Sequence, residues 1–379
     1  MIKSTVKNDP TDSKSSEKIS NEFKPYNLNG YKIIKPFGNS DAGSCEWTFC
    51  TKKNGSLEEE FFIKKFLSPK YPKKDAPISE KQKQHQINDC IEFEKKKRKL
   101  YNKIKSCANG NIVVPRDFFR NDNCYYLVTD KIDSFSMTLK EMSEKSFEQK
   151  QIALRVLAHC VAKLSSNGII HADLKATNIL FQKTIDDYFT VKLIDFDASF
   201  LQDEPPRPSS LGFDPVYMAP ESFIYANEFE DDVKLTPKAD VFSLGILFHE
   251  ILSGELPKIL QPYPCTDDNY CTYIFEAMFD DVVELQLNVN ILPIYQQLIE
   301  KMLKKDVKER FSINQVMDAL YKIKNKSTPK DIFDEPIIKN KKYKEKDVDN
   351  KDSELKGTMA GGKVVTGTGW STLNDSDLG

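Results

Sequence analysis

The chain carries almost no net charge. Its 55 Lys and Arg against 57 Asp and Glu leave −2 over 379 residues, so no overall field draws it to nucleic acid or to an acidic membrane surface. No apolar run is long enough to span a bilayer, and the opening residues, MIKSTVKNDPTDSKSSEK, lack the apolar core of a secretory signal. The eight cysteines (45, 50, 90, 107, 124, 160, 265, 271) form no CxxC pair. Most stand in apolar surroundings, where a reduced thiol packs as a small hydrophobe. These absences point to a cytosolic protein without a disulfide framework or structural zinc, whose partners are neither nucleic acid nor membrane. What is present, 39% hydrophobic and 30% charged residues, suffices for a two-part globular core with polar ends to spare.

The most informative stretch runs from Ile169 to Phe200, IIHADLKATNILFQKTIDDYFTVKLIDFDASF. Its apolar runs, Ile179 to Phe181 and Val191 to Ile194, read as two short buried strands around a polar turn. Each borders a tight group of charged or amide residues. Moving a phosphate from a nucleotide to a hydroxyl needs divalent cations on the phosphates, a carboxylate for the hydroxyl proton and a cation near the moving group. Here Asp173 is the candidate base, Lys175 the cation, and Asn178 and Asp195 the oxygen ligands a hard ion prefers. Either group alone also reads as plain turn chemistry, since Asp and Asn favour turns. The two in this order, with strand-like sequence between them, leave that reading little room. Together, HADLKATN and DFD resemble the catalytic loop and metal motif of eukaryotic-type Ser/Thr protein kinases.

That resemblance implies an α+β, two-lobed fold: a small antiparallel β lobe with one helix, then a larger, mainly helical lobe. Residues 1–29 have the composition of a disordered arm. The kinase domain is expected over 30–325, with the small lobe at 30–132 and the large lobe at 133–325, and a flexible polar tail over 326–379. From Tyr31, YKIIKPFGNSDAGSCEWTFCTKKNG reads as two strands and a turn, followed by a third strand at EFFIKKF, and later IVVPRDFF and CYYLVTD bring the sheet to five. Gly38, Ser40 and Gly43 stand at the places of the family's phosphate-loop glycines, the middle one replaced, and Cys45 follows as a further nucleotide contact. In EFFIKKF the two-residue alternation chooses Lys64 over Lys65 as the lysine facing the nucleotide, because the alternative would place the charged Lys64 with Phe62 and Phe66 on the packed side. By resemblance, Lys64 pairs with a helix acid, Glu94 or else Glu92, within a helix from Ile78 to Ile104. Thr129 backs the nucleotide pocket, and Asp130 to Ile132 form the hinge that binds adenine. The run Lys95 to Lys99 reads as a solvated helix face.

In the large lobe, Ala153, Leu157, Val161 and Leu164 make one apolar stripe of a helix over 147–167. KADVFSLGILFHEILSG reads as a buried helix opened by Asp240. FLQDEPPRPSSLGFDPVYMAPES has the length of an activation segment, and Arg310 is expected to pair with Glu221 of YMAPE. Four departures mark the chain. Phe62 replaces the alanine expected two residues before Lys64. Ala172 replaces the arginine that usually grips a phosphorylated segment. Asp197 replaces the glycine of the metal motif and crowds Asp195, and two like charges so close make a divalent ion between them more, not less, required. Asp214 replaces a threonine and is placed to pair with Lys175. The activity implied is transfer of the ATP γ-phosphate to protein hydroxyls with magnesium, the choice of Ser/Thr resting on Lys175. The alternative is a pseudokinase serving as a nucleotide-binding scaffold. FFIKKFLSPKYP, DFDASF and DVFSLGILFHEIL are, more narrowly, similar to bacterial kinases encoded beside a metal-dependent protein phosphatase and a von Willebrand A-type protein, which would make such a phosphatase a partner.

Overall fold

Along LEEEFFIKKF the side chains alternate in burial, with Phe61 and Ile63 buried and Phe62 and Lys64 partly open. A pleated strand points successive residues to opposite faces, so one face of this strand closes a core and the other lines a cleft. The computed structural model describes residues 23–38, 45–132, 137–184, 188–229, 233–260, 273–279, 283–325 and 332–333. The arm before Phe23, loop positions Ser40 and Gly43, Cys265, Cys271 and the tail beyond Phe333 lie outside the described residues.

The small lobe is a six-stranded antiparallel sheet, β1 (Tyr26–Leu28), β2 (Tyr31–Ile33), β3 (Cys45–Asn54), β4 (Leu57–Phe66), β5 (Pro115–Asn121) and β6 (Cys124–Asp130), in the order β1-β2-β3-β4-β6-β5. One helix, α1 (Glu80–Ser106), accompanies it. The sheet has one strand more than the five expected. Asn29 and Gly30 both take positive φ, 51° and 84°, and this Asn-Gly turn folds β1 back onto β2 so that Leu28 enters the core with Ile33, Phe61, Ile63 and Val128. Helix α1 starts from a capping box: Ser79 Oγ accepts from Gln82 N, and Gln82 Oε1 accepts from Ser79 N at 3.1 Å. Such a cap is worth about 1 kcal/mol. The strand expected from Ile112 begins at Pro115. Ile112 bridges Leu193 instead, and Val113 N donates to Leu193 O at 2.9 Å, which ties the two lobes together.

The large lobe contains α2 (Leu139–Ser143), α3 (Phe147–Ser166), β7 (Ile169–Ile170), β8 (Ile179–Lys183), β9 (Phe189–Leu193), β10 (Phe200–Leu201), α4 (Pro220–Ala226) and α5 (Lys238–Ser253). It continues with β11 (Lys258–Leu260), α6 (Ile274–Ala277), β12 (Glu284–Gln286), α7 (Pro293–Met302) and α8 (Ile313–Lys324). The stripe of α3 is fully buried, and β8 and β9 pair as the expected hairpin. Helix α5 is buried almost all round, and at Gly245 an added Cβ would stand 3.0 Å from Met302 and Leu303, so the α5–α7 approach requires glycine. This helix opens at Lys238 rather than at Asp240. Asp240 lies inside its first turn, buried, with its carboxylate committed to the loop after β7. Beyond the expected end of the domain, Ile332 is buried on the same core. Among the described residues no helix is long and apolar enough to cross a membrane.

Candidate active site

The loop from His171 to Asn178 joins β7 to the 3-10 turn before β8, and it is fixed from below. Asp240 accepts hydrogen bonds from the backbone N–H groups of His171 (2.8 Å) and Ala172 (3.0 Å). Ala172 sits at φ 65°, a left-handed conformation rare for a residue with a Cβ; the paired N–H bonds to one carboxylate hold it there. The buried His171 ring lies between this loop and the one after β9. Its Nδ1 accepts from Asp173 N at 3.3 Å, so Nε2 carries the proton and donates to Ile194 O at 3.2 Å. Burial pushes its pKa down, which keeps it neutral.

This scaffold presents Asp173. Its Oδ2 is taken by the Lys175 ammonium and the Asn178 amide, both at 3.0 Å, while its Oδ1 is buried without a partner. Burial raises its pKa against the pull of Lys175. Asn178 Nδ2 also donates to Asp173 O at 2.7 Å, so its amide oxygen is the atom left for a ligand. Lys175 lies 3.8 Å from Asp214 as well, the pairing anticipated for that residue.

The second group follows β9. Asp195, at φ 63°, and Asp197 both reach Lys64 of β4, whose Nζ is 2.7 Å from Asp195 Oδ1 and 2.9 Å from Asp197 Oδ2. The cation between the two carboxylates is therefore the Lys64 ammonium. Burial alone would lower the Lys64 pKa, but Asp197 and Asp195 outweigh it and raise the pKa. Burial would raise that of Asp197, but Lys64 and Lys97 hold it down. Lys64 and Asp197 are thus both charged at neutral pH.

Lys64, Thr129, Asp130, Ile132, Lys175, Asn178 and Asp195 line one cavity of about 450 Å³ between the lobes. Trp47, Phe49 and Phe62 form one wall, with ring centroids 5.4 to 5.9 Å apart. The Asp130 side chain turns to Arg116, which binds it through two nitrogens at 2.6 and 2.8 Å. Gly38 exchanges backbone hydrogen bonds with Trp47 at the cavity's edge, and the Cys45 thiol lies 3.6 Å from Asp197 Oδ2. Among the described residues no three of His, Cys, Asp and Glu gather into a metal nest.

Residues 74–322 match the model of the protein kinase domain. The chain belongs to the protein kinase family. Its relatives include hormonally up-regulated neu tumor-associated kinase homolog B of Xenopus laevis, 28% identical over 55% of this chain and 31% of the relative. The dual specificity mitogen-activated protein kinase kinase jkk-1 of Caenorhabditis elegans is 33% identical over 40% of this chain and 32% of its own length. The probable serine/threonine-protein kinase fhkC of Dictyostelium discoideum is 26% identical over 62% and 38%. The matched region thus spans about a third of each of these relatives.

Seen as a kinase, the chain differs from its expected wiring at α1. Glu94 does not reach Lys64; it pairs with Arg98 at 2.8 Å, and Glu92 pairs with Lys96 at 2.7 Å. The inner face of α1 carries Cys90, Phe93, Lys97, Leu100, Tyr101 and Ile104, and Phe93 packs on Phe66, Phe118 and Tyr125. With Phe93 turned inward, Glu94 is rotated about 100° away from it. Lys97 takes the place facing the site, donating to Asp197 O at 2.7 Å. The run Lys95 to Lys99 is thus not solvated throughout, and an inward repeat at 90, 93, 97, 100 and 104 is the signal that would have singled Lys97 out.

The activation segment is held by several unmodified groups. Lys99 of α1 pairs with Glu204, Tyr225 OH donates to Pro206 O at 2.7 Å, and Tyr217 OH donates to Glu250 at 2.8 Å. Ser209 and Ser210 are exposed in a short turn. With Ala172 unable to grip a phosphate, the double variant Ser209→Ala, Ser210→Ala is expected to keep its initial rate within a small factor of the parent. Loss of most activity in a folded double variant would show that segment phosphorylation is required.

Proposed function

We propose that the chain is an ATP- and magnesium-dependent Ser/Thr protein kinase with Asp173 as the base. The observation that carries this reading is the bare, buried Oδ1 of Asp173 beside a nucleotide-sized cavity, its other oxygen fixed by Lys175 and Asn178. A base must keep one oxygen free of other partners for the hydroxyl proton while its orientation is held. Asp195 and the Asn178 amide oxygen fit magnesium, which takes one or two protein oxygens and completes its shell from phosphates and water. Bound there, the ion would neutralise charge on the nucleotide phosphates. Lys64 would hold phosphate oxygens from the roof of the cavity, and Lys175 would follow the transferring group. Thr129 and the backbone of Asp130 to Ile132 would receive the base, with Gly38, Ser40, Gly43 and Cys45 over the phosphates.

The domain limits of 30–325 are proposed with the addition of β1 and of Ile332–Phe333, which pack on the lobes. A reducing, cytosolic setting is supported by six buried cysteine thiols among the described residues. The narrower resemblance in FFIKKFLSPKYP, DFDASF and DVFSLGILFHEIL supports a bacterial kinase paired with a metal-dependent phosphatase. The aromatic wall of Trp47, Phe49 and Phe62 favours the second reading, a pseudokinase, because it takes space from the base.

The test is nucleotide titration with and without magnesium, alongside label transfer from ATP to the protein itself or to a generic basic protein. Asp195→Asn removes one charge from the metal site, so it should weaken magnesium-dependent binding and turnover together. A parent that binds nucleotide in both conditions and transfers no label would establish the scaffold instead.

A further inference from the structure

Lys64 is anchored by two carboxylates from one short loop, and among the described residues no acid of α1 joins them. One of these anchors, Asp195, is the proposed metal ligand. With an ion on that carboxylate, the lysine must keep its geometry from the other. Asp197 is built for this: its Oδ2 receives Lys64 at 2.9 Å and the Cys45 thiol at 3.6 Å, its backbone N donates to Asp195 Oδ1 at 3.3 Å, and its carbonyl receives Lys97 at 2.7 Å. Its Oδ1 is buried with no partner. A buried carboxylate with a bare oxygen is costly, and neither glycine nor an apolar side chain would carry that cost. Its presence is explained if the loop must supply a negative charge to Lys64. The Lys97 ammonium lies 6.0 and 5.7 Å over the rings of Phe66 and Tyr101, so the helix end of the link is packed as well.

We infer that Asp197 is the positioning residue of Lys64, supplying from the loop after β9 the carboxylate that the family takes from the helix, and that Lys97 couples α1 to it through the Asp197 carbonyl. The helix-to-lysine link is thereby reversed in charge: the helix contributes a cation and the loop an anion. The nucleotide role of Lys64 on which this rests is the one proposed above.

The experiment is a double-mutant cycle on magnesium–ATP affinity with Asp197→Asn and Lys64→Met. In the parental background Asp197→Asn should weaken binding about tenfold, the size of one lost charge-assisted hydrogen bond. In Lys64→Met it should weaken binding less than about twofold, because a residue acting through another has nothing left to position. Asp197→Glu should recover part of the loss. Glu94→Gln, outside the site, should change nothing. Equal weakening in both backgrounds, or a Glu94→Gln defect as large as that of Asp197→Asn, would overturn the inference. A second arm needs no nucleotide: Lys97→Met should speed amide hydrogen exchange in α1 between residues 90 and 101, and Glu94→Gln should not. Unchanged exchange in Lys97→Met would break the helix link. If the parent binds no nucleotide, the kinase reading fails, and the exchange arm still decides whether Lys97 and Asp197 hold the helix.

Discussion

Asp173→Asn is expected to slow phosphate transfer by about 10²–10⁴, or about 3–5 kcal/mol of barrier, the usual worth of a positioned general base. Nucleotide affinity should stay near parental. The side chain keeps its size, and an amide oxygen at the place of Oδ2 can still accept from Lys175 and Asn178, both 3.0 Å away in the parent. What disappears is the unpartnered oxygen, the one proposed to take the hydroxyl proton. Asp173 does not line the cavity between the lobes, unlike Asp195. The two asparagine variants should therefore fail differently, one in turnover alone and the other in binding and turnover. The measurement is initial rate at saturating ATP together with a nucleotide titration. Transfer at the parental rate in Asp173→Asn would remove the base assignment and leave the fold assignment standing.

The parts of the molecule that were legible in the sequence are those set by local pattern. Alternation in EFFIKKF put Lys64 on the cleft side, and the buried stripe of α3 followed from its 3.6-residue period. Composition reads residues 1–29 as an arm, but Asn29-Gly30 between Leu28 and Tyr31 is a strong hairpin turn, and β1 follows from it. Partner choice across long separations was not legible. Lys64 and Asp197 lie 133 residues apart, and nothing in either segment records their meeting. Family pattern assigned the lysine to a helix acid, whereas the inward face of α1 was decided by where Phe93 could pack among Phe66, Phe118 and Tyr125. Asp240 illustrates the same limit. Near the start of an apolar helix it read as an opening residue, but its carboxylate holds the backbone of the loop that bears Asp173, 68 and 69 residues away.

Arg310→Ala should lower the thermal midpoint by on the order of 10 °C, from a stability loss of about 3–5 kcal/mol, the usual cost of removing one partner of a buried ion pair. The Arg310 side chain is wholly buried and binds Glu221 through both terminal nitrogens, at 2.5 and 2.8 Å. Its remaining donors go to the carbonyls of Lys304 (2.8 Å), Lys238 (2.9 Å) and Lys305 (3.3 Å), and its guanidinium lies 5.0 Å over the Phe242 ring. Alanine would leave the Glu221 carboxylate charged in the interior and three carbonyls short of a donor, besides opening a void between α4, α5 and the turn before α8. Glu221→Gln should cost less, since an amide still accepts from the guanidinium. Arg310→Met with Glu221→Leu should recover part of the loss by removing the uncompensated charge, though the carbonyls keep it below the parent. A midpoint in Arg310→Ala within about 2 °C of the parent, roughly the shift of a 1 kcal/mol change in a domain of this size, would mean that the pair braces nothing.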